Sequence, residues 1–287
     1  MKKCHFSILY NELPFLKQKM KFLYDHFEQL IFYDLNVGTY EPHYSTDGSH
    51  EFISEYPDPE NKITLIEKKD LSDVNLYKGD GSIEKRKMFA VGSSYVQDDV
   101  DSFWCFDLDE FIEDSLIDRV NQIFQQDSKI NSINVDHYLF FYSTEYILAD
   151  TSSDFHKFYS RIARHQPNTI YGHCTIANDQ QPSYSISPEE EVCFHLGWLG
   201  NSRVLSKIKH YTEPPTGMPR NKEMYQLWLA RVWNPFPEQK EKIIDNNLYG
   251  YPYMHPNVSL KYGVRKFEKE LPNYINQKQL MEELNHE

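Results

Sequence analysis

The sequence predicts an α/β fold: a mostly parallel sheet flanked by helices, with a helical and irregular C-terminal extension. Three observations predict it. A strand, an amphipathic helix and a second strand follow one another within the first 35 residues. An uninterrupted apolar run, Ser102-Phe103-Trp104-Cys105-Phe106, has the character of a central strand covered on both faces. Helical and strand periodicities then alternate to the end of the chain. The 287 residues suffice for one such domain, drawn from the sequence over residues 1–213, with an extension over 214–287 packed on it.

Each element has its own signal. His5 to Leu9 is a short apolar run that ends at Tyr10-Asn11-Glu12. Leu13, Leu16, Met20, Leu23 and Phe27 then recur at three- and four-residue spacing, with Pro14 suited to the first helical turn. Leu30 to Leu35 is the second strand. Residues 38–59 are rich in Gly, Pro, Ser, Tyr and His without periodicity, which predicts a long loop, and loops of that length in compact domains are usually functional. Ile63 to Ile66 reads as a strand, and Ile83 to Ser94 as a helix carrying Lys85, Arg86 and Lys87. After the central run, a helix begins near Asp114 with Leu116, Val120, Ile123 and Phe124 on one face. Strands are expected over Ile133–Tyr142, Tyr159–Arg164 and Cys193–Leu196. Helices are expected over Arg203–Tyr211 and Glu223–Trp233 and after Asn276.

Composition narrows the functional classes. Thirty basic against 43 acidic residues give a formal charge of −13, which opposes non-specific association with nucleic acid or anionic membrane. Mean hydropathy is −0.67, yet aromatic residues make up 15% of the chain, so a packed core is expected. Cys4, Cys105, Cys174 and Cys193 form no C-x-x-C pair and read as buried free thiols of a reducing compartment. The first residues lack the apolar stretch of a signal peptide or membrane anchor, so no membrane span is expected.

The chemistry concentrates in Asp107-Leu108-Asp109-Glu110-Phe111, directly after the central run. Aspartates at i and i+2 share one face of a strand, and at the end of a parallel sheet that face opens into the crevice where α/β folds bind ligands. Two hard carboxylates in that place suit Mg²⁺ or Mn²⁺ with positions left open for phosphate oxygens. A second D-x-D, Asp99-Val100-Asp101, lies in a hydrophilic turn and lacks that context.

Three strings together resemble glycosyltransferase family 17, the family of enzymes that add a bisecting N-acetylglucosamine, and GT-A glycosyltransferases more broadly. They are Tyr10-Asn11-Glu12-Leu13-Pro14-Phe15-Leu16; Asp107-Leu108-Asp109-Glu110-Phe111-Ile112, in which Glu113 stands where the family has proline; and Phe194-His195-Leu196-Gly197-Trp198 followed by Lys207, Lys209, His210, Tyr211, Thr212 and Glu213. The resemblance implies a GT-A fold and a Mn²⁺- or Mg²⁺-dependent transfer of a sugar, with inversion, from a nucleotide-sugar donor, by the family's usage a UDP-sugar. The acceptor would be a hydroxyl of a glycan, a protein or another molecule, with nucleic acid disfavoured by the charge. It places Asn11, Glu12 and Asp34 at the nucleotide, Asp107 and Asp109 on the metal and donor phosphates, and His195 as a third metal ligand. Lys85, Arg86, Lys207 and Lys209 would pair with the diphosphate. A carboxylate must take the acceptor proton. Glu110, Asp136 and Glu145 are the candidates, Glu145 being favoured because it follows an aromatic strand end.

Tyr138, Phe140, Tyr142, Tyr159 and Tyr171 are open to two readings, a sugar-binding surface or core. Without a signal peptide, a cytoplasmic enzyme of bacterial or viral type is expected rather than one of the Golgi lumen. A metal-dependent phosphoesterase with an acidic strand-end site, and a non-catalytic carbohydrate-binding protein on the same scaffold, are the alternatives.

Overall fold

A computed structural model describes residues 1–34, 44–67, 88–150, 160–167, 169, 171, 182–212, 222–245 and 262–286. Its contacts divide the chain into two compact units. Unit 1 comprises Met1–Val135 and Phe158–Val192, and unit 2 comprises Asp136–Lys157 and Cys193–Glu287. The division therefore runs through the strand predicted over 133–142 and does not follow the boundary drawn at residue 213.

Unit 1 opens as the sequence predicts, with β1 (Lys3–Leu9), α1 (Leu13–His26) and β2 (Gln29–Asp34). β2 is buried at every position, which explains its lack of polar alternation. Next come α2 (Ser49–Ser54), β3 (Ile63–Ile66), the helical residues 88–93 as α3, β4 (Ser102–Cys105), the two-residue β5 (Glu110–Phe111) and α4 (Asp114–Gln126). The short strands β6 (Ser132–Asn134), β8 (Ser160–Arg164) and β9 (Ser183–Ser185) complete the unit. Its sheet has the order β3-β2-β1-β4-β8-β6-β9. β1 pairs in parallel with β2 and β4, β2 with β3, and β6 with β9, while β8 runs antiparallel to β4 and β6. The fold is thus α/β with a mostly parallel central sheet flanked by helices.

One face of that sheet packs Phe6, Ile31, Phe103 and Cys105 against Met88 and Phe89, with Tyr171 stacked on Phe103 at 4.1 Å between ring centroids. α3 lies very close to β1. A methyl group placed on Gly92 would come within 2.1 Å of the Phe6 ring, which is fully buried. Gly92→Ala is accordingly expected to cost about 1–3 kcal/mol by overpacking, read as a lower urea midpoint at unchanged slope. A variant as stable as the parent would show that the Phe6 ring can swing aside.

Unit 2 holds β7 (His137–Asp150), β10 (Cys193–Leu199) and β11 (Tyr262–Lys266). β10 runs parallel to β7 and β11 antiparallel to it. Its helices are α5 (Asn201–Thr212), α6 (Lys222–Trp228), a π-helical turn over Leu229–Trp233, α7 (Phe236–Asp245) and α8 (Gln277–His286). Tyr142 takes φ +66° within β7. The strand changes partner there, since β10 pairs up to Tyr142 and β11 pairs from Tyr146 onward.

Two expectations are corrected. The loop over 38–59 contains α2, because Gly48 at φ +93° turns the chain into that helix. The single strand predicted over 133–142 is two strands, β6 and β7, in different units; with no Gly or Pro between them, the sequence does not mark where one strand stops and the next begins. Tyr138, Phe140 and Tyr171 are core, as are Trp228 and Trp233, which pack edge-on to Phe141 at 6.0 and 5.3 Å. Tyr142 is half-buried, with its ring 5.1 Å from both Trp233 and Phe236. Tyr159 lies outside the described residues, as does Cys174. Cys4, Cys105 and Cys193 are buried free thiols. Among the described residues, no helix is long and apolar enough to cross a membrane.

Candidate active site

The acidic segment lies at the carboxyl end of β4, the middle strand of the seven, which is parallel to β1 on one side and antiparallel to β8 on the other. It is a turn and not a strand end, which corrects the shared-face argument: β4 stops at Cys105, and the Glu110 N–H donates to the Asp107 carbonyl at 3.0 Å. The turn is fixed from several sides. Glu110 Oε2 accepts the Asp107 N–H at 2.9 Å, and Lys19 Nζ from α1 donates to the carbonyls of Asp107 at 2.9 Å and Glu110 at 2.5 Å. Arg161 of β8 pairs with the Glu110 carboxylate and stands 3.8 Å from Asp107 Oδ2. The strand leading into the turn is held by Ser7, whose hydroxyl donates to the Phe106 carbonyl at 2.6 Å.

Burial separates the three carboxylates. The Asp107 side chain is 30% exposed, Asp109 is 4% exposed, and Glu110 is fully buried. Glu110 was one expected candidate for the base. Its carboxylate is fully buried and built into the fold between Arg161 and the Asp107 N–H. Asp107 and Asp109 carry hard oxygen donors of the kind a divalent ion takes, on the turn that follows β4, Asp107 partly open and Asp109 buried. Among the described residues, no group of three or more His, Cys, Asp or Glu side chains is gathered as a metal site.

A second cluster crosses the carboxyl ends of β1, β2 and β3. Asp34, at the end of β2 and 2% exposed, accepts the Ser45 N–H at 3.0 Å and hydroxyl at 2.7 Å, and its other oxygen lies 2.8 Å from His50 Nδ1. His50 Nε2 stands 3.5 Å from Glu67. Asn11, at φ +52°, accepts the Thr46 N–H on its side chain at 2.8 Å, and its own N–H donates to Ser45 Oγ. The N–H groups of Glu12 and Leu13 at the start of α1 donate to Ser49 and Asp47, 3.0 and 2.9 Å away. Asn11 and Asp34 therefore tie residues 45–50 across the sheet end. α1 is capped by Asp47 and Ser49 from a distant segment, and Asn11 is not its cap.

In unit 2, Glu145 is exposed just past the Tyr142 bend. It lines a groove of about 500 Å³ with Ser143, Thr144, Gln277, Lys278 and Met281. The Thr144 hydroxyl donates to Gln277 at 3.0 Å, tying β7 to the start of α8. Asp136 is half-buried, and its carbonyl accepts the Cys193 N–H at 2.9 Å. His195 is half-buried on β10, immediately before the pairing with β7 shifts register. On α5, Lys207 Nζ lies 5.7 Å from the Trp198 ring centroid, and Lys209 is exposed. Lys85 and Arg86 lie outside the described residues.

Lys19, Arg161 and His5 were missed from sequence, and the Ser45–His50 segment was read only as part of a long functional loop. Lys19 did leave a trace, since it sits three residues after Leu16 and four before Leu23, on the stripe that faces the core. His5, on β1, is 1% exposed. Burial holds its imidazole well below the usual range, Lys19 adds to that, and Asp107 opposes it. Burial likewise lowers His165. Both rings therefore bind protons less readily in the folded chain than in the unfolded one, His5 the more so because it is fully buried. Stability is expected to decline as pH falls from about 6.5, with a slope of up to about 1.4 kcal/mol per pH unit from the fully buried His5 and a smaller one from the partly exposed His165. Urea titrations between pH 7.5 and 5 check this, and His165→Gln should flatten the slope.

No protein-family model matches the chain, and no curated protein matches it. Among solved structures it is similar to S. aureus TarS. The crystal structure of TarS 1–349 aligns at 10% identity and a TM-score of 0.42, over 86% of this chain and 79% of that one. A second structure of TarS aligns at 10% identity and 0.41, over 85% of this chain and 48% of that one. Likeness at that level is one of general chain path and assigns no residue.

Proposed function

We propose that the chain is a metal-dependent glycosyltransferase that moves a sugar from a nucleotide-sugar, a UDP-sugar by the family resemblance, to an acceptor hydroxyl with inversion. The observation that carries this reading is the acidic turn: Asp107 and Asp109 stand at the carboxyl end of a central parallel strand, braced by Lys19 and Arg161. Open α/β sheets bind ligands at that edge. In this reading Asp107 and Asp109 hold Mn²⁺ or Mg²⁺, and His195 is the further ligand the resemblance implies. The bound ion supplies neutralisation of the charge that builds on the departing nucleoside diphosphate. Asp34, Asn11 and Glu12 act at the nucleotide by holding residues 45–50 in place. Lys207 and Lys209, with Lys85 and Arg86, are the candidates to pair with the diphosphate.

Glu145 is the favoured base, ahead of Asp136, because its exposed carboxylate faces a groove large enough for part of an acceptor. Glycan, protein and other hydroxyl acceptors all fit that requirement. A thermal-shift panel of nucleoside diphosphates with and without Mn²⁺ tests the proposal, because a ligand of the native state alone raises the melting temperature. A shift with one diphosphate that requires Mn²⁺ and disappears with EDTA is expected. No shift across the panel would overturn the reading.

A further inference from the structure

We infer that Lys19 is a positioning residue for the acidic turn, presetting the arrangement in which Asp107 and Asp109 receive a divalent cation. This rests on the reading of the turn as a cation site. Lys19 is 1% exposed in the middle of α1, among Phe15, Leu16, Met20 and Leu23. Lysine is almost never fully buried unless its ammonium is compensated. Here it meets the carbonyls of Asp107 and Glu110, the first and last residues of the turn, and lies 5.6 Å from the Phe111 ring centroid. One ammonium thus grips both ends of a four-residue segment, and it does so from the core side. Drawing the two carbonyls inward fixes the backbone from which the aspartate side chains project. The Glu110 carboxylate, bonded to the Asp107 N–H and paired with Arg161, holds the same turn from a third direction.

Charge and scaffolding predict opposite signs. A positive charge beside a cation site opposes the incoming ion, so if Lys19 acted through its charge alone, removing it would tighten Mn²⁺ binding. If Lys19 holds the turn, removing it weakens binding, because groups that orient metal ligands are worth about 10–100-fold in affinity. A loss of Mn²⁺ affinity on removing Lys19 therefore requires the second effect to be the larger.

The test compares Lys19→Met, which loses charge and donors, with Lys19→Gln, which loses charge and keeps a donor. Mn²⁺ affinity is measured by titration followed by electron paramagnetic resonance, on variants shown to be folded by circular dichroism. Lys19→Met is expected to weaken Mn²⁺ at least about 10-fold, with Lys19→Gln recovering part of the loss. Binding in Lys19→Met as tight as, or tighter than, in the parent would overturn the inference. Should Lys19→Met not fold, Lys19→Gln decides the test, because its amide is uncharged and one bond short of the ammonium's place between the two carbonyls: weaker Mn²⁺ binding than in the parent supports the inference, and binding as tight or tighter overturns it.

If the parent chain binds no Mn²⁺, or binds it equally well as Asp107→Asn, the cation reading itself fails. The positioning role is then decided by hydrogen exchange at the Asp107 and Glu110 amides. Faster exchange in the Lys19 variant, with β1 and β4 unchanged, supports it, and unchanged protection overturns it.

Discussion

Asp107→Asn and Asp109→Asn, made separately, are each expected to lower turnover of a nucleotide-sugar donor in Mn²⁺ by at least about 100-fold, the scale on which metal-site groups act. Asparagine keeps the size of aspartate and one of its oxygens but removes the charge that attracts the ion. The two variants should differ in stability. Asp107 is 30% exposed at its side chain, so its loss should leave the melting temperature nearly unchanged. Asp109 is 4% exposed, and its replacement acts inside the packed turn. Parallel measurement of donor turnover and thermal unfolding separates the two effects. Variants that keep both turnover and stability would show that the turn holds no catalytic metal.

Arg161→Met is expected to destabilise unit 1 strongly, costing about 3–5 kcal/mol. Arg161 is 3% exposed and Glu110 fully buried, so removing the guanidinium strands an uncompensated carboxylate in the interior. The double variant Glu110→Leu/Arg161→Met removes both charges and should recover most of that loss, because a buried ion pair and an apolar pair of similar volume are often close in stability. Urea unfolding of the two single variants and the double closes the cycle and isolates the coupling. A cost below about 1 kcal/mol for Arg161→Met would mean that water or another cation reaches Glu110 and that the turn is not braced by this pair.

The parts of this architecture that follow from local rules were legible in the sequence. The stripe from Leu13 to Phe27 sets α1, and the apolar run at 102–106 sets β4, because both patterns are written within a few residues of the element they specify. The place of the acidic segment after β4 was legible for the same reason. Its conformation was not, since what makes it a turn is Lys19 from 88 residues earlier and Arg161 from 51 residues later. Asp34 and Asn11 were picked out as nucleotide-facing groups, yet their partners Ser45, Thr46 and His50 come from a stretch with no periodicity to mark it. The split between β6 and β7 was hidden for another reason. Only Val135 and Asp136 join the two strands, and the alternation of apolar and polar residues from Ile133 to Asp136 leads into β7 with no Gly or Pro to mark a break.

Unit 1 is discontinuous, and this shapes how the protein is made. β8 lies between β4 and β6 in the sheet but is encoded after β7, which belongs to unit 2. During synthesis the chain through Val135 can pair β1 to β4 only, which leaves β4 as an edge strand whose four residues are all buried in the finished sheet. Such an edge is a template for wrong partners until β8 leaves the ribosome. The nascent chain carries that exposed seam while β7 and the residues up to Arg164 are added, and the arrival of β8 both seals the sheet and delivers Arg161 to Glu110. Closure of the sheet and assembly of the acidic turn are therefore a single event in the biogenesis of this chain.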